Sequence, residues 1–398
     1  MNVVIIGCGI VGAAIAYELS QVKDLKVTVV DRQPSPSLPP TNGEEEGSNH
    51  LFPASTGAAL GVLVGIMSPK VKGSAWQMRQ TSIQRYETWI PELESLTGRI
   101  IPFNRQGILS LCLEQEDLVK WGELAKVRHS QGLPLEIWDT AQLKKVCPQV
   151  EHGKVIGAVY SPSDRQVDPT ALTLALVDAA RHYGVTFKFG VDVLGSELPP
   201  HEHGVGEQLC HQIETTAGTI SADWFVVSAG LGSCFLTSQL KQMVDIRPVL
   251  GQALHVRLGY SLGNPDFQPV ITGDDTYIVP VGYGDYWVGA TLEFPSNGQE
   301  ISPDKKLLES VRKAAIRFCP DLSKATTIRT WWGLRPRPEE RPAPIIGKLP
   351  GFSNVLLATG HYRNGVLLAP ATSDKIREMI TAGVRSQEEA ARWAALPT

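Results

Sequence analysis

Residues 2–31 set the tightest limit on what this chain can fold into. Val3-Val4-Ile5-Ile6 is an apolar run without alternation, the pattern of a strand buried on both faces. It runs into Gly7-Cys8-Gly9-Ile10-Val11-Gly12, a GxGxxG turn, and then into Ile10–Ser20, where Val11, Ile15 and Leu19 recur at helical spacing. Lys26–Val30 reads as a second strand that ends at Asp31. This strand, glycine turn, helix and acid-ended strand form the βαβ unit that cradles a dinucleotide. Gly7 permits the tight turn, Gly9 lets a pyrophosphate approach the backbone, and Gly12 lets helix and strand pack closely. The N–H groups from Ile10 and Val11 and the positive end of the helix dipole suit the diphosphate. Asp31, with Arg32 beside it, suits the ribose hydroxyls. The motif alone leaves FAD and NAD both open.

At 398 residues the chain exceeds what one core usually serves, so two domains are expected. With 42% hydrophobic and 20% charged residues the composition is that of an ordinary globular protein. A net charge of −4 gives no electrostatic reason to expect nucleic acid or an anionic membrane as partner. No apolar run approaches the roughly 18–20 residues of a transmembrane helix. A strand at Val3 and glycines from Gly7 argue against a cleaved secretory leader. The six cysteines show no CxxC or other metal-ligand spacing, which suits a reducing cytoplasm and no metal. His201 and His203 flank Glu202 beside Pro199, Pro200 and Gly204, and read as a surface hairpin rather than a metal site.

Beyond Asp31 the pattern breaks. Gln33–Asn49, with four prolines and the run Glu44-Glu45-Glu46, reads as an exposed insertion. Helices are expected over about 75–96, 117–129, 305–318 and 367–381, and strands at 107–113 and 224–229. Strand patterns dominate from Arg247 to Glu293. Asp168-Pro169 opens a helix to His182, with Asp168 as cap and Pro169 at the first helical position.

Further segments carry a resemblance. They are Ala54-Ser55-Thr56-Gly57-Ala58-Ala59-Leu60-Gly61-Val62, Asp164-Arg165-Gln166-Val167-Asp168-Pro169 and Val226-Val227-Ser228-Ala229-Gly230. Pro248-Val249-Leu250-Gly251-Gln252 and Val288-Gly289-Ala290-Thr291 follow, then Trp332-Gly333-Leu334-Arg335-Pro336 and Ile345-Ile346-Gly347. The last is Thr359-Gly360-His361-Tyr362-Arg363-Asn364-Gly365-Val366-Leu367-Leu368-Ala369-Pro370. From residue 2 to about 381 the chain resembles the D-amino acid oxidase (DAO) family of FAD-dependent oxidoreductases, its glycine oxidase branch above all.

The resemblance implies an α/β and mixed fold. A Rossmann-like FAD-binding domain of the glutathione-reductase type (1–88, 155–242, 328–385) interleaves with an antiparallel-sheet substrate domain (89–154, 243–327). It implies FAD contacts from Ser55, Thr56, Leu60, Gly61 and Val62, from Val193, and from Ala229 and Gly230. It implies them also from His361 through Leu367, where a glycine-containing turn opens a helix whose positive end suits the charge of a reduced flavin. Arg335 takes the place that holds the substrate carboxylate, Arg363 the place that approaches the flavin, Tyr277 assists the carboxylate, and Leu292 walls the pocket. Arginine suits this work because its planar fork binds a carboxylate at two points and stays charged. On residue type alone, Arg335 beside Pro336 also reads as a loop arginine and Tyr277 as a plain strand aromatic.

The implied reaction is oxidation of a small amino acid, glycine or a related amine, to an imine that hydrolyses to oxo acid and ammonia. O2 accepts the electrons and yields hydrogen peroxide; the alternative is a D-amino acid dehydrogenase that passes them to a quinone or another carrier. The product imine fits a role in making the thiazole of thiamine. The FAD is expected to be non-covalent, since no cysteine stands near Leu334-Arg335-Pro336, where the sarcosine oxidase branch attaches its flavin. The charged run Arg337-Pro338-Glu339-Glu340-Arg341-Pro342 departs from the family's Asp-Gly loop and leaves substrate size open. A homo-oligomer is also left open.

Overall fold

The N-terminal βαβ unit forms as expected, with strand Asn2–Ile6, helix Ile10–Ser20 and strand Lys26–Asp31. The structure, a computed structural model, describes residues 1–34, 55–151, 153–196, 207–295 and 301–394. The expected insertion from residue 35 on, with Ala54, His201 and His203, lies outside the described residues. Packing divides the chain into two units, Met1–Pro36, Thr173–Arg247 and Pro336–Thr398 in the first, Ser37–Leu172 and Pro248–Arg335 in the second.

In the first unit the main sheet runs in the order Ile345–Lys348, Val355–Thr359, Trp224–Val227, Asn2–Ile6, Lys26–Asp31, Thr186–Phe189. Neighbours are parallel except at the Ile345–Lys348 edge. From the central strand Asn2–Ile6 the chain builds outward first on one side and later on the other. The order therefore reverses between Asn2–Ile6 and Trp224–Val227, and in open α/β sheets ligands bind at the carboxyl ends of such a switch point. Gly7 and Ser228 stand there.

The helix Ile10–Ser20 departs from its sequence pattern. Instead of one apolar stripe, every residue from Ile10 to Leu19 is buried. The cause is packing on two sides, against the sheet and against the C-terminal helix Gly365–Ala394. Ala13, Ala14 and Ala16 keep it slim enough for that. Its one buried carboxylate, Glu18, pairs with Arg377 at 3.4 Å.

In the second unit an eight-stranded sheet runs Thr326–Pro338, Ile246–Arg257, Asp285–Gly289, Thr276–Gly282, Val270–Gly273, Ile108–Cys112, Gly157–Ser161, Glu136–Trp138. It is mixed rather than purely antiparallel, because Val270–Gly273 runs parallel to Ile108–Cys112. A parallel pair needs a long crossover, and residues 113–269 lie between these two strands. One face buries Leu109, Leu111, Leu254, Ile278 and Val288 against Phe318 of helix Lys305–Phe318.

Residues 55–88 and 155–172, expected among the FAD-binding segments, group with this second unit. Val62–Leu63 pairs with Arg165–Val167, which pairs in turn with Phe103–Asn104. Buried side chains fix the loop that follows. Asp164 accepts from Gly65 and Ile66 N at 2.7 Å each and from Met67 N at 2.9 Å. Burial raises its pKa against the pull of those N–H groups. Arg128, fully buried, donates to Ile66 O (2.8 Å), Ser68 O (2.7 Å) and Lys70 O (2.8 Å), and lies 3.7 Å over the Trp76 ring. Asp168 caps helix Pro169–His182 through Thr170 and Ala171 N, at 2.8 and 2.9 Å. Among the described residues no helix is long and apolar enough to cross a membrane.

Candidate active site

The nucleotide fingerprint sits on the carboxyl end of the central strand, and its glycines are needed for space. Gly7 has φ +103°, and a Cβ there would lie 2.7 Å from Ser228 O and 2.9 Å from Ala229 Cα. A Cβ on Gly12 would lie 1.9 Å from Gly7 O. The helix thus rests directly on the turn, as the third glycine of the motif requires. Gly9 is the extended N-cap, with φ −70° and ψ −178°. This cradle fits a diphosphate at a helix N-terminus.

Asp31 is fixed beside it. Its Oδ2 accepts from Cys8 N at 2.5 Å and its Oδ1 from Gln33 N at 2.7 Å. Each carboxylate oxygen keeps a second lone pair for a hydroxyl. Arg32 is exposed. Across the switch point, Ser228 Oγ donates to Gly7 O at 3.0 Å. Thr359 Oγ1 donates to Gly230 O at 3.2 Å, which brings the Ala229-Gly230 turn to the strand before the C-terminal turn. Val193 is buried in the core of this unit, so it offers a nucleotide only main chain. The segment before it is tied to the end of the second strand by Val191 N to Asp31 O at 3.0 Å.

The C-terminal turn carries Gly360 at φ +64° and Tyr362 at φ +53°. Tyr362 N donates to Pro336 O, and Asn364 N to His361 O, both at 3.0 Å. The helix starts at Gly365, with Val366 and Leu367 buried and Arg363 exposed on the turn. Its first-turn N–H groups and dipole make a positive end. His361 is buried, its Nε2 3.0 Å from Thr372 Oγ1, and burial pushes its pKa down to about 4. A group so far below neutrality is an ill-matched general base.

This histidine also sets a pH dependence. The unfolded chain protonates His361 from its ordinary 6.5 downward, whereas the fold resists until about 4. The unfolded state binds more protons in that window, so stability falls as pH drops through it. His361 alone should remove about 3 kcal/mol by pH 4. Denaturant unfolding at pH 7 and pH 4 checks this, with His361→Gln expected to lose less stability than the parent over that interval.

The second unit holds the candidate carboxylate site on one face of its large sheet. Tyr277 pairs with Gly289, and Gly289 pairs with Ala253, so these three project from the same face. Gly251 lies two residues from Ala253 and shares that face. A Cβ on Gly251 would lie 2.1 Å from Arg335 Nη2 and 2.3 Å from Cζ. The guanidinium therefore lies flat on Gly251. Its Nη1 donates to Leu250 O and Thr291 O, each at 3.1 Å.

Two other glycines clear the same face. A Cβ on Gly289 would meet Leu60 Cδ1 at 3.1 Å, and one on Gly333 would meet Ala58 Cβ at 2.3 Å. The small-residue loop is thus laid over the sheet, and Ser55 Oγ fastens it to Leu334 O at 2.6 Å. Gly61, at φ +72°, turns the loop where a Cβ would strike Val167 O. Thr56 is buried, Leu60 and Val62 partly so. Leu292 stands 43% exposed between Thr291 and Glu293. Tyr277 is half-buried.

Arg335, Tyr277 and Leu292 thus belong to the second unit, and the fingerprint, Asp31, His361 and Arg363 to the first. Sequence reading did not single out Glu293 or the seat at Gly251, although an isolated glycine inside a strand often signals close approach. Among the described residues no group of three His, Cys, Asp or Glu is placed to hold a metal.

Comparison with known proteins identifies the family. The family model described as FAD dependent oxidoreductase (DAO) matches residues 2–379. The chain is 32% identical to the bifunctional protein ThiO/ThiG of Synechocystis sp. over 95% of its own length and 51% of that protein's. It spans about half the length of the bifunctional relatives it matches. It is 31% identical to the glycine oxidase of Bacillus subtilis, covering 95% of this chain and 92% of that one. The crystal structure of glycine oxidase from Geobacillus kaustophilus shares the fold, with a TM-score of 0.80 at 23% identity over 96% of this chain and 94% of that chain. A sheet switch point built around GxGxxG and a family match over nearly the whole length lead to one assignment: the chain belongs to the DAO family of FAD-dependent oxidoreductases.

Proposed function

We propose that this protein oxidises a small amino acid, glycine or a close relative, to its imino acid, with O2 as electron acceptor. The observation that carries the reading is Arg335, a permanent cation seated on Gly251 and fixed by two carbonyls on the face that also bears Tyr277. Such a guanidinium suits a carboxylate, because its position costs no reorganisation when the ligand arrives. When bound, FAD would supply the acceptor for the hydride of the substrate Cα–H bond, which carries both electrons, while the amino group loses a proton.

The chain's own part is orientation. Arg335 fixes the carboxylate end, the Tyr277 hydroxyl adds a hydrogen bond to it, and Leu292 limits the space around the α-carbon. Arg363 serves the flavin side. Holding the reacting bond in place is worth several kcal/mol in such reactions. The imine then hydrolyses in water to oxo acid and ammonia. The likeness to glycine oxidase and to bifunctional ThiO/ThiG proteins supports a small substrate and an imine used in making the thiazole of thiamine. FAD is held without a covalent bond, and the free thiols suit a cytoplasmic setting.

The test is turnover of a panel of α-amino acids and N-methyl amines, under air and then under argon with an artificial electron acceptor. We expect glycine or a close relative to be turned over under air with one peroxide formed per substrate. Turnover that needs the artificial acceptor would make the protein a dehydrogenase instead. Turnover of uncharged amines alone would remove the carboxylate reading.

A further inference from the structure

Glu293 is a buried carboxylate that the reaction outlined above does not use. Its side chain is 7% exposed, and burying an ionised carboxylate is costly unless donors surround it. The donors are present. Gln252 Nε2 donates to Oε1 at 2.8 Å, Thr291 Oγ1 donates to the same oxygen, and Asp304 N donates to Oε2 at 3.0 Å. Gln252 Nε2 also reaches Asp304 O at 2.8 Å, so the two side chains grip both backbone groups of the residue that caps helix Lys305–Phe318.

What this network holds is the pair of peptide carbonyls under the arginine. Leu250 and Glu293 exchange backbone hydrogen bonds of 2.9 and 3.0 Å, and Thr291 N donates to Gln252 O at 3.1 Å. Thr291 Oγ1 accepts from Gln252 N at 2.8 Å. The carbonyls of Leu250 and Thr291 are the two that receive Arg335 Nη1, and Gly251 between Leu250 and Gln252 is its seat. One carboxylate thus ties together both strands that carry the guanidinium.

We propose that Glu293 is a positioning residue for Arg335: it fixes the Leu250 and Thr291 carbonyls, and Gly251 leaves the one gap into which the guanidinium lies. The proposal rests on the reading of Arg335 as the substrate's carboxylate anchor. Glu293 touches neither substrate nor cofactor in this account. Its effect passes through the arginine.

The test is a double-mutant cycle on the FAD-loaded enzyme, with glycine as substrate and acetate as a carboxylate that cannot be oxidised. Glu293→Gln keeps the shape but removes an acceptor oxygen. Gly251→Ala leaves the network whole and puts a methyl where the guanidinium lies, so it carries the test if Glu293→Gln fails to fold. Each should raise KM for glycine and weaken acetate about tenfold, with kcat nearly kept, and neither should further lower kcat/KM once Arg335 is alanine. Parent-like acetate binding in a folded Glu293→Gln, or in Gly251→Ala where Glu293→Gln does not fold, would overturn the proposal. An undiminished effect of Glu293→Gln in the Arg335→Ala background would also overturn it, since Glu293 would then act elsewhere. If Arg335→Ala itself bound acetate as the parent does, the anchor reading would fail first, and the positioning role with it.

Discussion

Gly12→Val purifies without bound FAD. The three atoms nearest to a Cβ on Gly12 are Gly7 O at 1.9 Å, Ser228 Oγ at 2.8 Å and Gly7 C at 2.9 Å, two of them backbone. Gly7 is held in place, because its N–H donates to Val30 O at 2.8 Å and its carbonyl accepts from Ser228 Oγ at 3.0 Å. Room appears only if the helix Ile10–Ser20 is pried from the strand end, which spoils the cradle that the helix N-terminus makes for a diphosphate. Overpacking of this kind costs about 3 kcal/mol or more. Taken from cofactor binding, that is a loss of roughly 100-fold in affinity. The check is the ratio of flavin to protein, measured after acid releases the flavin into solution. A Gly12→Val protein with the parent's ratio would show that the turn does not bear the cofactor.

The first unit was legible because its signals are local. A buried strand, three spaced glycines and an acid-ended strand lie within about 30 residues, and helix Ile10–Ser20 begins and ends where its pattern does. What the pattern hid was the second neighbour of Ile10–Ser20. Only the fold brings Gly365–Ala394, from the far end of the chain, against it. The grouping of residues 55–72 with the second unit was hidden likewise. It depends on Asp164 and Arg128, charged residues whose burial over backbone groups has no periodicity to announce it.

The site was legible in part. Arg335 and Tyr277 stood out through the family resemblance, and the sheet puts both on one face, a relation that no spacing in the sequence gives. In the sequence Gly251, Gly289 and Gly333 stood only as members of segments that carry the family resemblance. In the fold they are the clearings for Arg335, Leu60 and Ala58. Glu293 was invisible because its partners come from three separate places in the chain, at Gln252, Thr291 and Asp304.

Arg335→Ala should cost the enzyme about 2–5 kcal/mol of transition-state stabilisation, or roughly 30- to several-thousand-fold in kcat/KM. The residue is more than a charge. Its planar fork lies on Gly251, with Nη1 held at 3.1 Å from two carbonyls, so a lysine ammonium would reach the region without reproducing the two-point geometry. Arg335→Lys should therefore recover only part of the loss. FAD content should be unchanged in both variants, since the fingerprint belongs to the other unit. An anchor that holds the carboxylate equally before and during hydride removal predicts a loss mainly in KM.

The most direct measurement is the rate at which glycine bleaches the oxidised flavin in the absence of oxygen, in the parent and in Arg335→Ala. It isolates the reductive half of the reaction and does not depend on which acceptor follows. The parent should bleach fully, and Arg335→Ala, with its flavin intact, should need far more glycine for the same rate. A parent flavin that neither glycine nor any other small amino acid reduces would contradict the account, as would an Arg335→Ala enzyme that glycine bleaches as readily as the parent.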